Sequence, residues 1–384
     1  MANRPAIDRS ERAILARRPI FDQTHDEKQT RLRAIWKPNT SIVMKPSRCS
    51  ITGILLLALA ASAGAAEGPY KLLKEIPVGG AGGWDYLSVD SAARRLYVSH
   101  ATKAVVLDLS KDQVIGEITN TPGIHGIAIA PKLQRCFTSN GRENKVSIID
   151  ANTLQTLSKV DTGENPDAIL YEPAHNEVYA FNGRSGSATV IAADSGKVVA
   201  TIPLGGKPEF ATCDLEAGRI YNNLEDKSAV AVIDIAAHKV VDTWPIAPGQ
   251  AASGMAIDLQ HHRLFLGCGD NKMMVMMDST SGKVVANVPI GTGVDANCFD
   301  PATQLAFASC GDGTVTIAHE DSPDKLTVVQ TLATERGAKT MILDPATHKI
   351  YLGAAKYETG STQKRPPMIP GSFRILVYGM DQPS

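Results

Sequence analysis

One pattern recurs seven times along the chain: an apolar run, a turn, and a residue pair that ends in Tyr or Phe. Neighbouring copies are 40 to 44 residues apart, which is the length of a four-stranded propeller blade. Helical repeats of this length need long apolar stripes with helical periodicity, and the sequence contains none. The pattern predicts an all-β fold, a seven-bladed β-propeller. The seven aromatic residues are Tyr97, Phe137, Tyr179, Tyr221, Phe265, Phe307 and Tyr351.

Each copy divides into up to four strands. The second copy has apolar runs at 126–130, 135–140 and 146–150, and a fourth strand is clearest in the third copy, at 197–202. Turns rich in Asp, Ser and Gly separate the runs, because these residues accept backbone hydrogen bonds or tolerate positive φ. The aspartates at the ends of the third strands are therefore interpreted as structural: Asp108, Asp150, Asp234 and Asp278.

The two ends of the repeat region complement one another. The last copy stops at residues 373–378 without a fourth strand, whereas an extra strand at 70–78 precedes the first copy. Pairing the two closes the ring and removes exposed sheet edges. Residues 67–384 are therefore predicted to form one propeller domain, with the N-terminal strand completing the C-terminal blade.

Two tetrapeptides resemble the motif that gives YVTN propeller repeats their name: Phe-Thr-Ser-Asn at 137–140 and Tyr-Ala-Phe-Asn at 179–182. The resemblance extends over residues 70–380 and implies a seven-bladed propeller of the exported bacterial type. The last four copies keep the aromatic residue but replace the final Asn. Because the family includes binding proteins and many members without an assigned activity, the resemblance implies no particular ligand.

Residues 44–66 are interpreted as a signal peptide. A short basic segment at 44–48 precedes a leucine-rich run at 51–60, and the small residues 63–65 match an A-x-A cleavage pattern before Glu67. The run is shorter than the about 20 apolar residues of a membrane span. We therefore expect a periplasmic or secreted protein with no membrane span in the mature chain. Residues 1–43 are interpreted as a non-native or disordered upstream extension; a cytoplasmic tail on a membrane-tethered protein is the alternative.

The mature chain is acidic. Residues 67–384 contain 28 Lys and Arg against 35 Asp and Glu. Proteins that bind nucleic acid through its phosphates need a basic surface, so nucleic acid is disfavoured as a partner.

The cysteines indicate neither a disulfide framework nor a thiolate metal site. Five of them follow Glu67, and an odd number cannot all pair within the chain. No C-x-x-C or C-x-x-C-H motif is present. Buried strand thiols are the simpler interpretation.

A polar residue lies twelve positions before every repeat aromatic. In a propeller this position precedes the innermost strand, so the seven residues are predicted to form a ring at one mouth of the central channel. Converging carboxylates attract cations and raise each other's pKa. Polar loop residues that simply contact water are the alternative. The ring is Asp85, His125, Asp167, Glu209, Ser253, Asp295 and Lys339.

Three further polar residues are expected beside the ring, because they end the second strands of consecutive copies: His100, Asn140 and Asn182. With the ring they form the predicted ligand-binding site. Within it, Asp85, His125 and Asp167 are the candidate metal ligands, since imidazole suits Zn or Cu and oxygen suits Ca or Mg. A divalent metal ion is the only cofactor that the sequence suggests.

One insertion interrupts the repeat at residues 355–371, which include Lys356, Lys364 and Arg365. Long loops on repeat scaffolds often bind ligands. The insertion is interpreted either as a lid that offers cations to an anionic group or as a disordered loop.

The preferred function is a monomeric, exported binding or scaffolding protein that takes a small molecule, peptide or envelope protein at the channel mouth. The alternative is a metal-dependent, lactonase-like hydrolase or lyase, in which the cation polarises a carbonyl and His100 or His125 moves a proton. No catalytic residue is identified by motif.

Overall fold

The computed structural model describes residues 68–358 and 366–380, which belong to one compact unit. The predicted upstream extension and signal peptide, residues 1–43 and 44–66, lie outside the described residues. The described part contains seven sheets of four antiparallel strands, arranged as a β-propeller. Two 3₁₀ turns, Pro131–Leu133 and Glu225–Lys227, are its only helical elements, and neither has the length or apolarity to cross a membrane.

The strand β1 (Tyr70–Pro77) precedes the first complete blade. Blade one contains β2 (Trp84–Asp90), β3 (Arg95–His100), β4 (Lys103–Asp108) and β5 (Gln113–Ile118). Blade two contains β6 (Ile124–Ala130), β7 (Arg135–Asn140), β8 (Lys145–Asp150) and β9 (Thr156–Asp161). Blade three contains β10 (Pro166–Glu172), β11 (Glu177–Asn182), β12 (Ser187–Ala192) and β13 (Val198–Pro203).

Blade four contains β14 (Pro208–Asp214), β15 (Arg219–Leu224), β16 (Ala229–Asp234) and β17 (Lys239–Pro245). Blade five contains β18 (Ala252–Asp258), β19 (Arg263–Cys268), β20 (Met273–Asp278) and β21 (Val284–Pro289). Blade six contains β22 (Val294–Asp300), β23 (Leu305–Cys310), β24 (Thr314–Ser322) and β25 (Lys325–Ala333). Blade seven contains β26 (Met341–Asp344), β27 (Lys349–Ala354) and β28 (Arg374–Met380).

The seventh blade is completed by β1, as the sequence predicts. Its strand order is β1-β28-β27-β26, and β1 pairs antiparallel with β28, with Ile76 opposite Ile375. An ion pair adds to the backbone ladder, since Arg374 Nε donates to Glu75 Oε2 over 2.8 Å. The innermost strands neighbour one another around the axis, and β2 of blade one also lies beside β26 of blade seven. The ring is therefore closed.

The hydrophobic core lies between the blades. All seven repeat aromatics are at most 2% exposed. Each second strand has a neighbouring blade on both of its faces, so nearly all its residues are buried. The fourth strands form the outer rim, where Val198 and Val199 are about half exposed. The aromatic residue recurs in every copy because it fills the interface between neighbouring blades.

The strand-end aspartates are confirmed as structural. Asp150 Oδ1 accepts hydrogen bonds from the backbone N–H groups of Asn152 and Thr153, at 2.9 and 2.8 Å. Asp278 accepts the same pair from Thr280 and Ser281. The five described cysteines are free thiols. Cys213 is partly buried, and the other four are buried: Cys136, Cys268, Cys298 and Cys310.

Candidate functional site

A polar cavity of about 300 Å³ opens at one end of the innermost strands. All seven residues of the predicted ring line it, one from each blade. The count of twelve residues before the repeat aromatic therefore identifies one mouth of the channel. We call this cavity the mouth pocket; its lining also includes Tyr86, Glu225, Ala251, Gly269, Asp270 and Val294.

A β-bulge explains why these side chains reach the pocket. In six blades the register of the innermost strand shifts close to its start, for example between Trp84 and Leu87 in blade one and between Pro166 and Ile169 in blade three. The ring residues Asp85 and Asp167 lie inside these shifts. A bulge leaves a residue outside the ladder and re-aims its side chain, which here turns a carboxylate toward the axis.

Hydrogen bonds from serine hydroxyls, within a blade and to the next blade, hold the bulges in place. Ser99 Oγ donates to the carbonyl oxygens of Tyr86 and His125, at 2.7 and 2.6 Å, and Ser139 Oγ donates to the carbonyl of Asp167 at 2.5 Å. Both serines lie two residues after a repeat aromatic. They therefore fix the backbone of the ring residue in the next blade.

Asp85, His125 and Asp167 form the tightest cluster in the pocket. His125 Nδ1 lies 2.7 Å from Asp85 Oδ2 and 3.7 Å from Asp167 Oδ1. One ligand atom from each of the three residues lies within 4.8 Å of the others. Burial alone would lower the pKa of His125, but the hydrogen bond to Asp85 and the charge of Asp167 raise it above its usual value. The cluster has the donor set and spacing to hold one cation.

Ion pairs between lysines and carboxylates lie on the other side of the mouth pocket. Lys339 Nζ lies 3.0 Å from Asp295 Oδ1, and Lys207 Nζ lies 2.7 Å from Glu209 Oε1 while also contacting Glu225. These pairs leave Asp85 and Asp167 with only the imidazole as partner. The unbalanced negative charge is therefore concentrated around His125.

Burial raises the pKa of three carboxyl groups of the pocket. It raises the pKa of Asp167 to about 6, although His125 lies beside it, and the pKa of Glu209 to about 7, despite the contact with Lys207. Burial also raises the pKa of Asp295, against the effect of Lys339. A bound cation would relieve this cost, because it stabilises the ionised form of each group.

Tyr86 lines both the mouth pocket and a second, smaller cavity. Burial, together with the charges of Asp167 and Asp85, raises its pKa well above the usual value, so the hydroxyl stays a neutral donor. Its ring contacts Phe210 of blade four, and both rings also line a smaller cavity of about 90 Å³ deeper in the channel. The mouth pocket therefore has an aromatic floor.

The structure separates His100, Asn140 and Asn182 from the ring. None of the three is in the lining of the mouth pocket, and each is at most 1% exposed. The expectation that they approach the same cavity is wrong because both faces of a second strand are covered by neighbouring blades. Side chains at the end of these second strands therefore point into the interface between neighbouring blades.

The two asparagines cap the turn that follows. Asn140 Nδ2 donates to Ser147 Oγ at 2.7 Å and to Glu143 at 2.8 Å, and Asn182 Nδ2 donates to Thr189 Oγ1 at 3.0 Å. These contacts are internal to the blade. The family-like Asn thus has a structural role in this chain.

His100 is part of the core. Its ring stacks on Phe373 with centroids 4.4 Å apart, and burial lowers its pKa. A neutral imidazole packed against an aromatic ring in this way has no access to the mouth pocket.

Of the six lining residues that the sequence did not predict, three carry a polar side chain: Tyr86, Glu225 and Asp270. Tyr86 follows the ring residue of blade one, and the two acids lie four and five residues after the repeat aromatics of blades four and five. A search of these repeat positions for polar or aromatic outliers would have found them.

The insertion at residues 355–371 begins as a short ladder. Tyr357 bridges Met368, and Glu358 N–H donates to the Pro367 carbonyl at 2.9 Å. Lys364 and Arg365 lie outside the described residues. No described residue of the insertion lines the mouth pocket, so the lid interpretation gains no support from this part of the chain.

Comparison with known proteins identifies the fold alone. No family model and no curated protein matches the chain. Among solved structures, hydrazine synthase of Kuenenia stuttgartiensis has a TM-score of 0.61 at 16% identity, over 77% of this chain and 95% of that one. A chain from a crystal structure of the mitotic checkpoint complex has a TM-score of 0.69 at 14% identity, over 84% and 99%. At such low identity, these similarities establish that the chain shares the propeller fold with both.

Proposed function

We propose that this protein is a binding protein whose mouth pocket takes a divalent cation or the cationic group of a small ligand. The observation that carries the proposal is the cluster of Asp85, His125 and Asp167, whose ligand atoms lie within 4.8 Å of one another. Carboxylate oxygens and imidazole nitrogen are ordinary ligands of divalent ions in proteins. The same groups attract an ammonium or guanidinium group.

The charge of the whole pocket supports this ligand class. Six carboxylates line it against one lysine and one histidine, and Lys207, outside the lining, pairs with Glu209 and Glu225. Typical pockets for drug-like ligands are mostly apolar with a few polar groups, whereas apolar surface is scarce here. The ligand is therefore small and positively charged.

We further propose that the protein is a YVTN-type propeller that acts outside the cytoplasm. The support is the tetrapeptide at 137–140 and the signal-like segment at 44–66. Mass spectrometry of the protein recovered from the periplasm or medium should find an N-terminus near Glu67. A stable product that retains residues before Met44 would contradict export by this segment.

Metal-assisted hydrolysis is the second candidate, and Glu209 favours it. Its pKa of about 7 suits a general base at neutral pH, and it shares the pocket with the candidate cation ligands. Under this alternative, Glu209→Gln abolishes metal-dependent cleavage of lactones or esters while the protein still binds the cation. Absence of such cleavage with every metal tested would leave binding alone.

The binding proposal is tested by calorimetric titration of metal-stripped protein with Ca²⁺, Mg²⁺, Mn²⁺, Zn²⁺ and a primary diamine. We expect at least one ligand to saturate, and the double variant Asp85→Asn/Asp167→Asn to lose one binding event. Asp161→Asn is the matched control, because its side chain is 87% exposed and lies outside the pocket. If the double variant binds as many ions as the parent, the mouth pocket is not the site.

A further inference from the structure

A second group of potential metal ligands lies at the opposite end of the blades. Asp258 is the last residue of β18 in blade five, and Glu320 lies in β24 of blade six. His261, in the turn after β18, lies between them: its Nδ1 is 2.7 Å from Asp258 Oδ2 and 3.3 Å from Glu320 Oε1. One ligand atom from each residue lies within 4.8 Å of the others.

Glu320 departs from the repeat at this position. In six blades the equivalent backbone N–H donates to the carbonyl of the residue just before the second strand. The other five equivalents are apolar or small, and only blade six has a charged residue, although Glu320 is 3% exposed. A buried carboxylate is costly unless it is paired or bound to a metal. The equivalent residues are Leu109, Ala151, Ala193, Ile235 and Ser279.

The polar atoms that face one another in this group have no hydrogen-bond partners. They are Asp258 Oδ2, His261 Nδ1 and both carboxylate oxygens of Glu320. Although His261 Nδ1 lies close to two carboxylate oxygens, neither contact has hydrogen-bond geometry. Buried polar atoms in folded proteins are nearly always paired. Asp258 Oδ2 has an ion-pair contact with His261, but the two Glu320 oxygens have only the 3.3 Å contact of Oε1 with the same ring, which indicates a missing partner.

The matching aspartates of the next two blades show what a satisfied site looks like. Asp300 accepts hydrogen bonds from Ala302 N–H and Thr303 Oγ1 and contacts His348 Nδ1 at 2.8 Å. Asp344 is paired with Arg94 at 2.6 Å. In contrast, Asp258 uses only Oδ1, which accepts from Gln260 N–H. Among the aspartates that end the innermost strands of blades five, six and seven, only Asp258 therefore has a carboxylate oxygen without a hydrogen bond.

Within residues 68–358 and 366–380, no lysine or arginine forms an ion pair with Asp258 or Glu320. The guanidinium of Arg263 is held on Asp278 at 2.8 Å. His261 alone offsets two buried carboxylates, which otherwise must retain a proton between them. A divalent ion would balance the charge and occupy all the orphaned ligand atoms.

We propose that Asp258, His261 and Glu320 form a binding site for a first-row divalent metal ion of the Zn²⁺ or Mn²⁺ class, which links blade five to blade six. One imidazole nitrogen and two carboxylates suit such ions better than Ca²⁺, which takes six to eight oxygen ligands. Ligand atoms about 2 Å from a tetrahedral ion lie about 3.3 Å apart. The contact between His261 and Glu320 matches this separation, and the 2.7 Å contact between His261 and Asp258 must lengthen when the ion binds. The His261 side chain is 28% exposed and offers a route for the ion.

The site is tested in the Asp85→Asn/Asp167→Asn background, so that ions in the mouth pocket do not contribute. We expect calorimetry with Zn²⁺ to show one ion per chain, with proton release, because a ligand must be deprotonated to bind metal. His261→Ala and Glu320→Gln should each weaken binding at least about tenfold. Co²⁺ should give a visible absorption band that His261→Ala abolishes. No binding in the background variant would overturn the proposal.

Two further variants separate metal binding from folding. His175→Ala is the matched control, because His175 lies at the same repeat position beside buried Glu172, at 3.0 Å, without a second carboxylate; it should bind Zn²⁺ like the background. Glu320→Leu restores the residue type of blade one. It should melt at a higher temperature than the metal-free background and gain nothing from Zn²⁺. Full Zn²⁺ stabilisation of Glu320→Leu would place the ion elsewhere and sink the proposal.

Discussion

The rings of Tyr86 and Phe210 meet across the channel, with centroids 5.6 Å apart and planes inclined at 46°. Tyr86 lies in β2 of blade one and Phe210 in β14 of blade four. Above this contact the lining is mostly charged, whereas below it the cavity is lined mainly by apolar residues. The aromatic pair thus separates a cation-attracting pocket from an apolar interior.

Removing one ring should loosen this floor. We expect Phe210→Ala to lower the free energy of unfolding by about 1 to 3 kcal/mol, because a half-buried aromatic contact is lost and a cavity is left. Phe210→Leu, which retains most of the volume, should cost less than about 1.5 kcal/mol. Urea unfolding measures both. Equal stability of Phe210→Ala and the parent would show that the floor adds nothing.

The closing strand should stabilise the whole ring. Ile76 in β1 is 1% exposed, whereas Leu72 in the same strand is 46% exposed. Ile76→Ala should therefore lower the unfolding free energy by about 2 to 5 kcal/mol, and Leu72→Ala by no more than about 0.5 kcal/mol. A single cooperative transition at lower denaturant concentration is expected. Matching midpoints for the two variants would mean that β1 does not contribute to the ring.

The mouth pocket should make metal-free stability fall as pH rises. Glu209 has a folded-state pKa of about 7 against an ordinary value of 4.5, so the folded state retains a proton that the unfolded state has lost. The stability that this retained proton contributes is fully present below about pH 4.5, and it is lost as the pH rises to about 7. The lowered pKa of Asp278, about 2, acts below this window.

Glu209→Gln isolates this effect. Across the same pH range, the free energy of unfolding should fall less in the variant than in the parent, by on the order of 2 kcal/mol. Thermal or urea melts at intervals of pH, without metal, provide the measurement. A parent protein that gains stability across this window relative to Glu209→Gln would reverse the predicted sign.

Ser139 should position the cation ligands from a distance. Its hydroxyl donates to the carbonyl of Asp167, and a net hydrogen bond contributes about 1 kcal/mol. Ser139→Ala should therefore weaken cation binding at the mouth pocket by about fivefold, measured by calorimetry. The exposed Ser158→Ala is the control. Identical affinities in the two variants would show that this hydrogen bond does not support the site.

The spacing of the repeats predicted most of the fold and part of the candidate site. Seven aromatics at blade-length intervals predicted seven blades, because each blade needs one large apolar residue at the same point of its joint. The same register predicted that Asp85, His125 and Asp167 share the channel mouth. Local pairing of strands within a blade fixes which residue stands near the start of each innermost strand, because this pairing depends on residues close in sequence.

Contacts between blades depended on the tertiary structure. Asn182 and Asp167 both stand at fixed distances from the repeat aromatic Tyr179. Asn182 is nevertheless buried, because a neighbouring blade covers its face of the strand. Asp258 and Glu320 are distant in sequence, and only the packing of blade five against blade six brings them to one histidine. The sequence determined which residues each blade presents at its ends. Ring closure decided which of them meet, because packing against the next blade buries one side chain and leaves another at the axis.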